Sequence, residues 1–105
     1  MRKLAFVLGL ICATPAMADG FQIDVENFIA ERGISQAVMK ITNKTGKDVR
    51  QVFIDCVFLD KDQKAIDIGK TLIGFIANDA SVYDKAAIAT TDGVQFVQCN
   101  VRSYN

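Results

Sequence analysis

The sequence predicts an all-β domain, a sandwich or barrel of six to seven short antiparallel strands, and three observations carry that prediction. Beyond residue 20 the apolar residues recur mostly with period two, the strand period. The longest apolar segment, Val49 to Leu59, is rich in Val, Ile and Phe, which suit a pleated surface. Turn-forming clusters punctuate the chain at short, regular spacing.

Phe21, Ile23 and Val25 alternate with polar residues and predict a first strand. Val25, Phe28, Ile29 and Arg32 also fit helical spacing, with Asp24 as a cap and Gly33 as a stop, so a short helical turn over 25–32 is a second reading of that segment. Ala37, Met39 and Ile41 predict the next strand, which ends at the tight connection Asn43-Lys44-Thr45-Gly46-Lys47. Val49 to Leu59 follows, closed by Asp60-Lys61-Asp62-Gln63-Lys64. Thr71 to Ile76, Ser81 to Ala89 and Val94 to Ser103 complete the set, separated by Ala77-Asn78-Asp79-Ala80 and Thr91-Asp92-Gly93. No repeat or linker divides them, so one domain is expected.

The first residues set the expected compartment. Met1-Arg2-Lys3 is a short basic start, Leu4 to Ala13 a nearly unbroken apolar run, and Ala16-Met17-Ala18 a small-x-small site. These are the parts of a secretory signal peptide cleaved after Ala18. Residues 1–18 are therefore expected to be removed, leaving a soluble domain over 19–105, periplasmic or secreted. Cys12 follows Ile11, where lipoprotein processing calls for a small residue, so lipidation is not expected. Loss of Arg2 and Lys3 leaves ten basic and twelve acidic side chains, a net charge of −2. That even balance offers no basic stripe for nucleic acid and no polybasic membrane patch. No apolar run after Ala18 approaches the roughly 20 residues that span a bilayer.

Cleavage leaves two cysteines, Cys56 and Cys99. An even pair in a small exported domain predicts one disulfide, with two free thiols as the alternative. Closing a loop of about 44 residues would stabilise the fold by about 4 kcal/mol. No C-x-x-C redox motif is present. If the two cysteines are bonded as neighbours in one sheet, alternation groups Val52, Ile54, Phe58, Val97 and Val101 with them as core. Phe53, Asp55, Val57, Leu59, Val94 and Phe96 then fall on the outer side of that sheet. So much apolar surface calls for a cover. Either the chain folds over it, or it is a surface for a protein partner or a second copy.

The chain has no histidine, which removes the commonest general base and metal ligand. Asp60, Asp62 and Asp67 are close in sequence but belong to a turn, where Asp favours local hydrogen bonds. They lack the Gly and Glu of an EF-hand loop. Gly69-Lys70-Thr71 lacks the first glycine of a phosphate-binding loop and reads as a strand bend. Ser81 and Lys85 lie about 13 Å apart along a strand and cannot form a dyad. Asn43-Lys44-Thr45 matches a glycosylation acceptor but reads as a hairpin turn in a chain with a bacterial-type leader. Tyr83 and Tyr104 read as strand packing. No enzyme, cofactor or metal is expected.

One family resemblance spans most of residues 19–105. Val25-Glu26-Asn27-Phe28 opens it, Lys40-Ile41-Thr42-Asn43-Lys44-Thr45-Gly46 supplies a strand ending in Asn at a tight turn, and Val52 to Asp60 supplies a long strand ending in Cys56-Val57-Phe58-Leu59-Asp60. Asn78-Asp79, where Pro-Gly is common, leads to Tyr83. In these pieces the chain resembles the small extracytoplasmic FxLYD domains. The resemblance implies an immunoglobulin-like antiparallel β-sandwich and a non-catalytic accessory or protein-interaction role in the bacterial envelope. The alternative is an exported inhibitor of a hydrolase, for which the turn bearing Asp60 and Asp62 is the candidate contact loop.

Overall fold

The computed structural model describes residues 20–105. The expected signal peptide and Cys12 lie outside the described residues. The described chain contains six strands and no helix: β1 (Phe21–Glu31), β2 (Ile34–Asn43), β3 (Val49–Leu59), β4 (Ala65–Ile76), β5 (Ser81–Ile88) and β6 (Phe96–Ser103). They form two antiparallel sheets packed face to face. In one the order is β1-β2-β5, in the other β4-β3-β6. Two hairpins, β1-β2 and β3-β4, stay within a sheet, whereas the β2-β3, β4-β5 and β5-β6 connections each cross between sheets.

Period-two alternation builds the core. Phe21, Ile23 and Val25 of β1 and Ala37, Met39 and Ile41 of β2 are buried against Val52, Ile54, Cys56 and Phe58 of β3 and Val97, Cys99 and Val101 of β6. Each fully buried side chain of the size of Ile54 or Phe58 contributes about 2 kcal/mol. The core partners expected for the two cysteines are therefore those found.

The helical reading of residues 25–32 gives way to a strand. β1 pairs with β2 along its whole length, with a bulge between Val25 and Asn27. The extra residue, Glu26, reverses the alternation. Phe28 thereby joins Val25 on the inward side and packs against Phe58, ring centroids 6.3 Å apart. A spacing of three inward residues, which mimics a helical turn, arises here from a bulge.

On one flank the edge strands of the two sheets meet, β4 against β5. Thr71 Oγ1 donates to Asp84 Oδ2 at 2.8 Å across that seam. Gly69, opposite Cys56 on β4, is buried there, and a Cβ at this position would lie 2.8 Å from the Ala87 carbonyl oxygen. The glycine serves close backbone approach. Gly69→Ala is expected to cost about 1–3 kcal/mol, because the obstacle is backbone and cannot rotate away. Urea unfolding measures this, and an unchanged midpoint would show that the seam can open at no cost.

Candidate functional site

The two outer faces differ in chemistry. On the β1-β2-β5 sheet the outward residues include Gln22, Asp24, Lys40, Tyr83 and Lys85, with Gln22 bonded to Asp24 at 3.2 Å. Tyr83 is 63% exposed opposite Lys40, so it does not pack within the strands as expected. It borders a shallow depression with Val38, Asp84 and Lys85. Tyr104 does pack, edge-on to Phe21 with centroids 5.0 Å apart.

The outer face of the β4-β3-β6 sheet carries apolar residues on either side of a polar row. Strand pairing sets Leu72 beside Phe53, Asp55 between Lys70 and Asn100, and Val57 between Ile68 and Gln98. Leu72 is 52%, Ile68 47% and Phe75 44% exposed, while Phe53, Val57 and Phe96 are half-buried. Two guanidinium groups shield part of this surface. Arg102 lies 5.1 Å above the Phe53 ring and bridges to Asp55 at 3.2 Å, and Arg50 lies 4.9 Å above Phe75. Such stacking is worth about 0.5–1 kcal/mol at an exposed site. It also leaves the apolar edges of both rings on the surface.

Four of the six residues expected on this face, Phe53, Asp55, Val57 and Phe96, reach its surface. Leu59 and Val94 add none; both are buried. Leu59 stands directly opposite Phe96, on the same side of the sheet, and is covered there. Val94 precedes β6 in a turn after Gly93 (φ 73°), so strand alternation does not reach it and it joins the core. Three contributors were missed, Ile68, Leu72 and Phe75. β4 begins at Ala65 rather than Thr71, and the alternation Ile66, Ile68, Lys70, Leu72 was the available signal. Phe75 keeps the same face as Leu72 because Gln51 on β3 (φ 50°) and Gly74 on β4 are extra residues facing one another.

The Asp60 turn is held by its own carboxylate. Asp60 Oδ1 accepts from the Asp62 and Lys64 amides at 2.8 and 2.9 Å, and the Asp60 amide donates to the Lys64 carbonyl at 2.9 Å. The Asp60 side chain is thus spent on the turn, and Asp62 is the exposed acid at its tip. Asp67 accepts from the Ile68 amide at 2.8 Å. Ser81 bonds Thr42 at 2.8 Å, while Lys85 stands opposite Val38.

Asn43, the residue of the glycosylation-like triplet, is fully buried. Its Nδ2 donates to the carbonyls of Lys47 (2.7 Å), Ile76 (3.0 Å) and Ala77 (3.3 Å), and its Oδ1 accepts from Thr45 N (3.0 Å) and Oγ1 (2.7 Å). The turn it anchors carries the chain from β2 to β3 in the other sheet, so it is not a hairpin.

Cys56 and Cys99 form a disulfide between directly opposed residues of β3 and β6, Cα atoms 4.0 Å apart and both fully buried. Among the described residues no helix is long and apolar enough to cross a membrane. The chain matches no family model, no curated protein and no solved structure.

Proposed function

We propose that the protein is a non-catalytic interaction module that docks a protein partner on the outer face of its β4-β3-β6 sheet. The observation that carries this reading is the cluster of Leu72, Ile68 and Phe75, each more than 40% exposed, beside half-buried Phe53 and Val57 on a single sheet face. Large exposed apolar patches on small domains mark interaction sites. Aromatic and arginine side chains, here Phe53, Phe75, Arg50 and Arg102, are the types that dominate binding energy at such sites. The opposite sheet carries Lys40, Asp24 and Lys85 on its outer side, and its exposed apolar residues, Tyr83 and Ile34, lie on different strands.

We further propose an immunoglobulin-like arrangement, in keeping with the FxLYD resemblance, and export to the periplasm or medium through the leader. The sheet β1-β2-β5 supports the former: an immunoglobulin sandwich sets its first, second and fifth strands in one sheet, although the constant type adds the fourth strand there and here β4 pairs with β3 instead. The disulfide supports the latter, since such bonds persist in oxidising compartments.

A photoreactive residue placed at Leu72 and, as a control, at Tyr83 tests the docking face in expressing cells. Covalent adducts with a second protein are expected from Leu72 and not from Tyr83. Leu72→Lys combined with Phe75→Lys should abolish capture by a probe at Ile68 while shifting stability by no more than about 0.5 kcal/mol per exposed site. Equal labelling from both faces, or none from either, would sink the proposal.

A further inference from the structure

The β6 strand has an outer edge with no pairing partner among the described residues, and we infer that this edge joins antiparallel to β6 of a second copy of the chain. The inference goes beyond the docking reading and does not depend on it. The short Cα separation of the Cys56–Cys99 pair, 4.0 Å, marks it as a non-hydrogen-bonded pair of the β3-β6 ladder. Gln98 and Asn100 therefore supply the ladder bonds to β3. The backbone N–H and C=O groups of Val97, Cys99 and Val101 point to the open edge.

The other edges are closed or guarded. β4 and β5 meet through Thr71–Asp84 and the close approach at Gly69. β1 is bulged at Glu26 and carries Asp24 and Glu31 besides. By contrast, Phe96 to Val101, the run before the β6 bulge at Arg102, has no charge, no proline and no glycine. An uncharged, extended edge strand is a ready template for another strand.

The edge is complementary to itself, and this selects a second copy over an unrelated strand. A two-fold axis at Cys99 would pair Val97 with the partner's Val101 and Cys99 with the partner's Cys99. The two copies would then exchange about six backbone hydrogen bonds. On the outer face Gln98 would stand beside the partner's Asn100, an amide against an amide. Arg102, the strand's single charge, would meet the ring of the partner's Phe96, and Phe96 the partner's Arg102. No like charges would be opposed, and the contact would be isologous, the form that closes as a dimer. The joined sheets would carry both apolar faces side by side. Leu72, on β4 at the far edge, would stay clear of the seam.

Sedimentation equilibrium on protein expressed from the full sequence tests the pairing. A dimer is expected. Gln98→Lys with Asn100→Lys, both outward positions on β6, should raise its dissociation constant by about tenfold or more through like-charge opposition. Gln98→Glu with Asn100→Lys should restore dimerisation, because opposite charges then meet across the seam. Circular dichroism and an intact disulfide confirm that each variant is folded. Amide hydrogen exchange gives a second readout: the Val97, Cys99 and Val101 amides should be protected in the dimer and exchange rapidly in the double-lysine variant. A protein that stays monomeric up to about 1 mM, a dimer indifferent to the lysine pair, or edge amides equally fast in both proteins would each overturn the inference.

Discussion

Replacing Cys56 and Cys99 together by alanine is expected to lower the unfolding free energy by about 4 kcal/mol. The two residues are 43 apart in sequence, and the bond removes from the unfolded chain the freedom of that loop, worth about 4 kcal/mol on the chain-entropy estimate. The loss of two buried sulfur atoms adds a packing cost. Both side chains are fully buried, and Cys56 Sγ lies 3.9 Å from the Met39 sulfur in the opposite sheet. A domain of this size holds about 5–15 kcal/mol in total, so the change removes about a quarter or more of its stability. Urea unfolding of the native protein with and without reductant should reproduce the same loss without mutation. Alkylation of two thiols in the native, unreduced protein would refute the bond, and with it the inward grouping of Val52, Ile54, Val97 and Val101 around it.

That grouping was legible in the sequence because burial and period two are local signals. A core strand such as β3 shows its alternation in every residue from Val52 to Phe58. Given one bonded pair, parity alone sorts both strands into faces. What escaped the sequence was everything that breaks parity. Glu26 inserts one residue into β1 and gives Val25 and Phe28 a helical spacing. The turn at Gly93 buries Val94. The start of β4 was hidden for a different reason. As an edge strand it presents Asp67 and Lys70 to water and Gly69 to a neighbouring backbone, so Ile66 and Ile68 are the only large apolar residues of its first half. The apolar outer face was therefore anticipated from its β3 and β6 residues alone, and its most exposed members, on β4, appeared only with the strand pairing. The β3-β4 hairpin could be read from its Asp60 turn, but the β1-β2 hairpin was obscured by the helical spacing of 25–32, and which connections cross between sheets is decided by contacts remote in sequence.

Asn43 is where those remote contacts converge, and Asn43→Ala is expected to cost about 3 kcal/mol. The side chain is fully enclosed and joins three segments: its own turn through Thr45 and Lys47, the end of β4 through Ile76, and the following turn through Ala77. Its backbone adds two more ties, its N–H donating to the Ala80 carbonyl at 2.9 Å and its carbonyl accepting from the Asp79 amide at 2.9 Å. The β2-β3 and β4-β5 crossings are thus clamped to one another at one end of the sandwich. Alanine keeps the backbone ties but removes the buried bond to the Ile76 carbonyl and the part-buried ones to Ala77 and the Thr45 amide, at about 1–3 kcal/mol for each group left unpaired. Partial relaxation of the exposed Thr45-Gly46-Lys47 stretch brings the sum down to the value given. Asn43→Asp is the sharper probe. It preserves shape and the Oδ1 contacts, yet sets a second, charged oxygen against the carbonyls of Lys47 and Ile76, so at pH 7 it should destabilise more than alanine does. Asn27→Ala is the control, since Asn27 is exposed and its Oδ1 bonds only the adjacent Phe28 amide, at 2.8 Å; its cost should stay within about 0.5 kcal/mol. Equal unfolding midpoints for Asn43→Ala and Asn27→Ala would mean that the amide merely fills space. A large loss for Asn43→Ala and a larger one for Asn43→Asp would identify its donor hydrogens as the groups that fasten the two sheet crossings, and through them the two layers, into one domain.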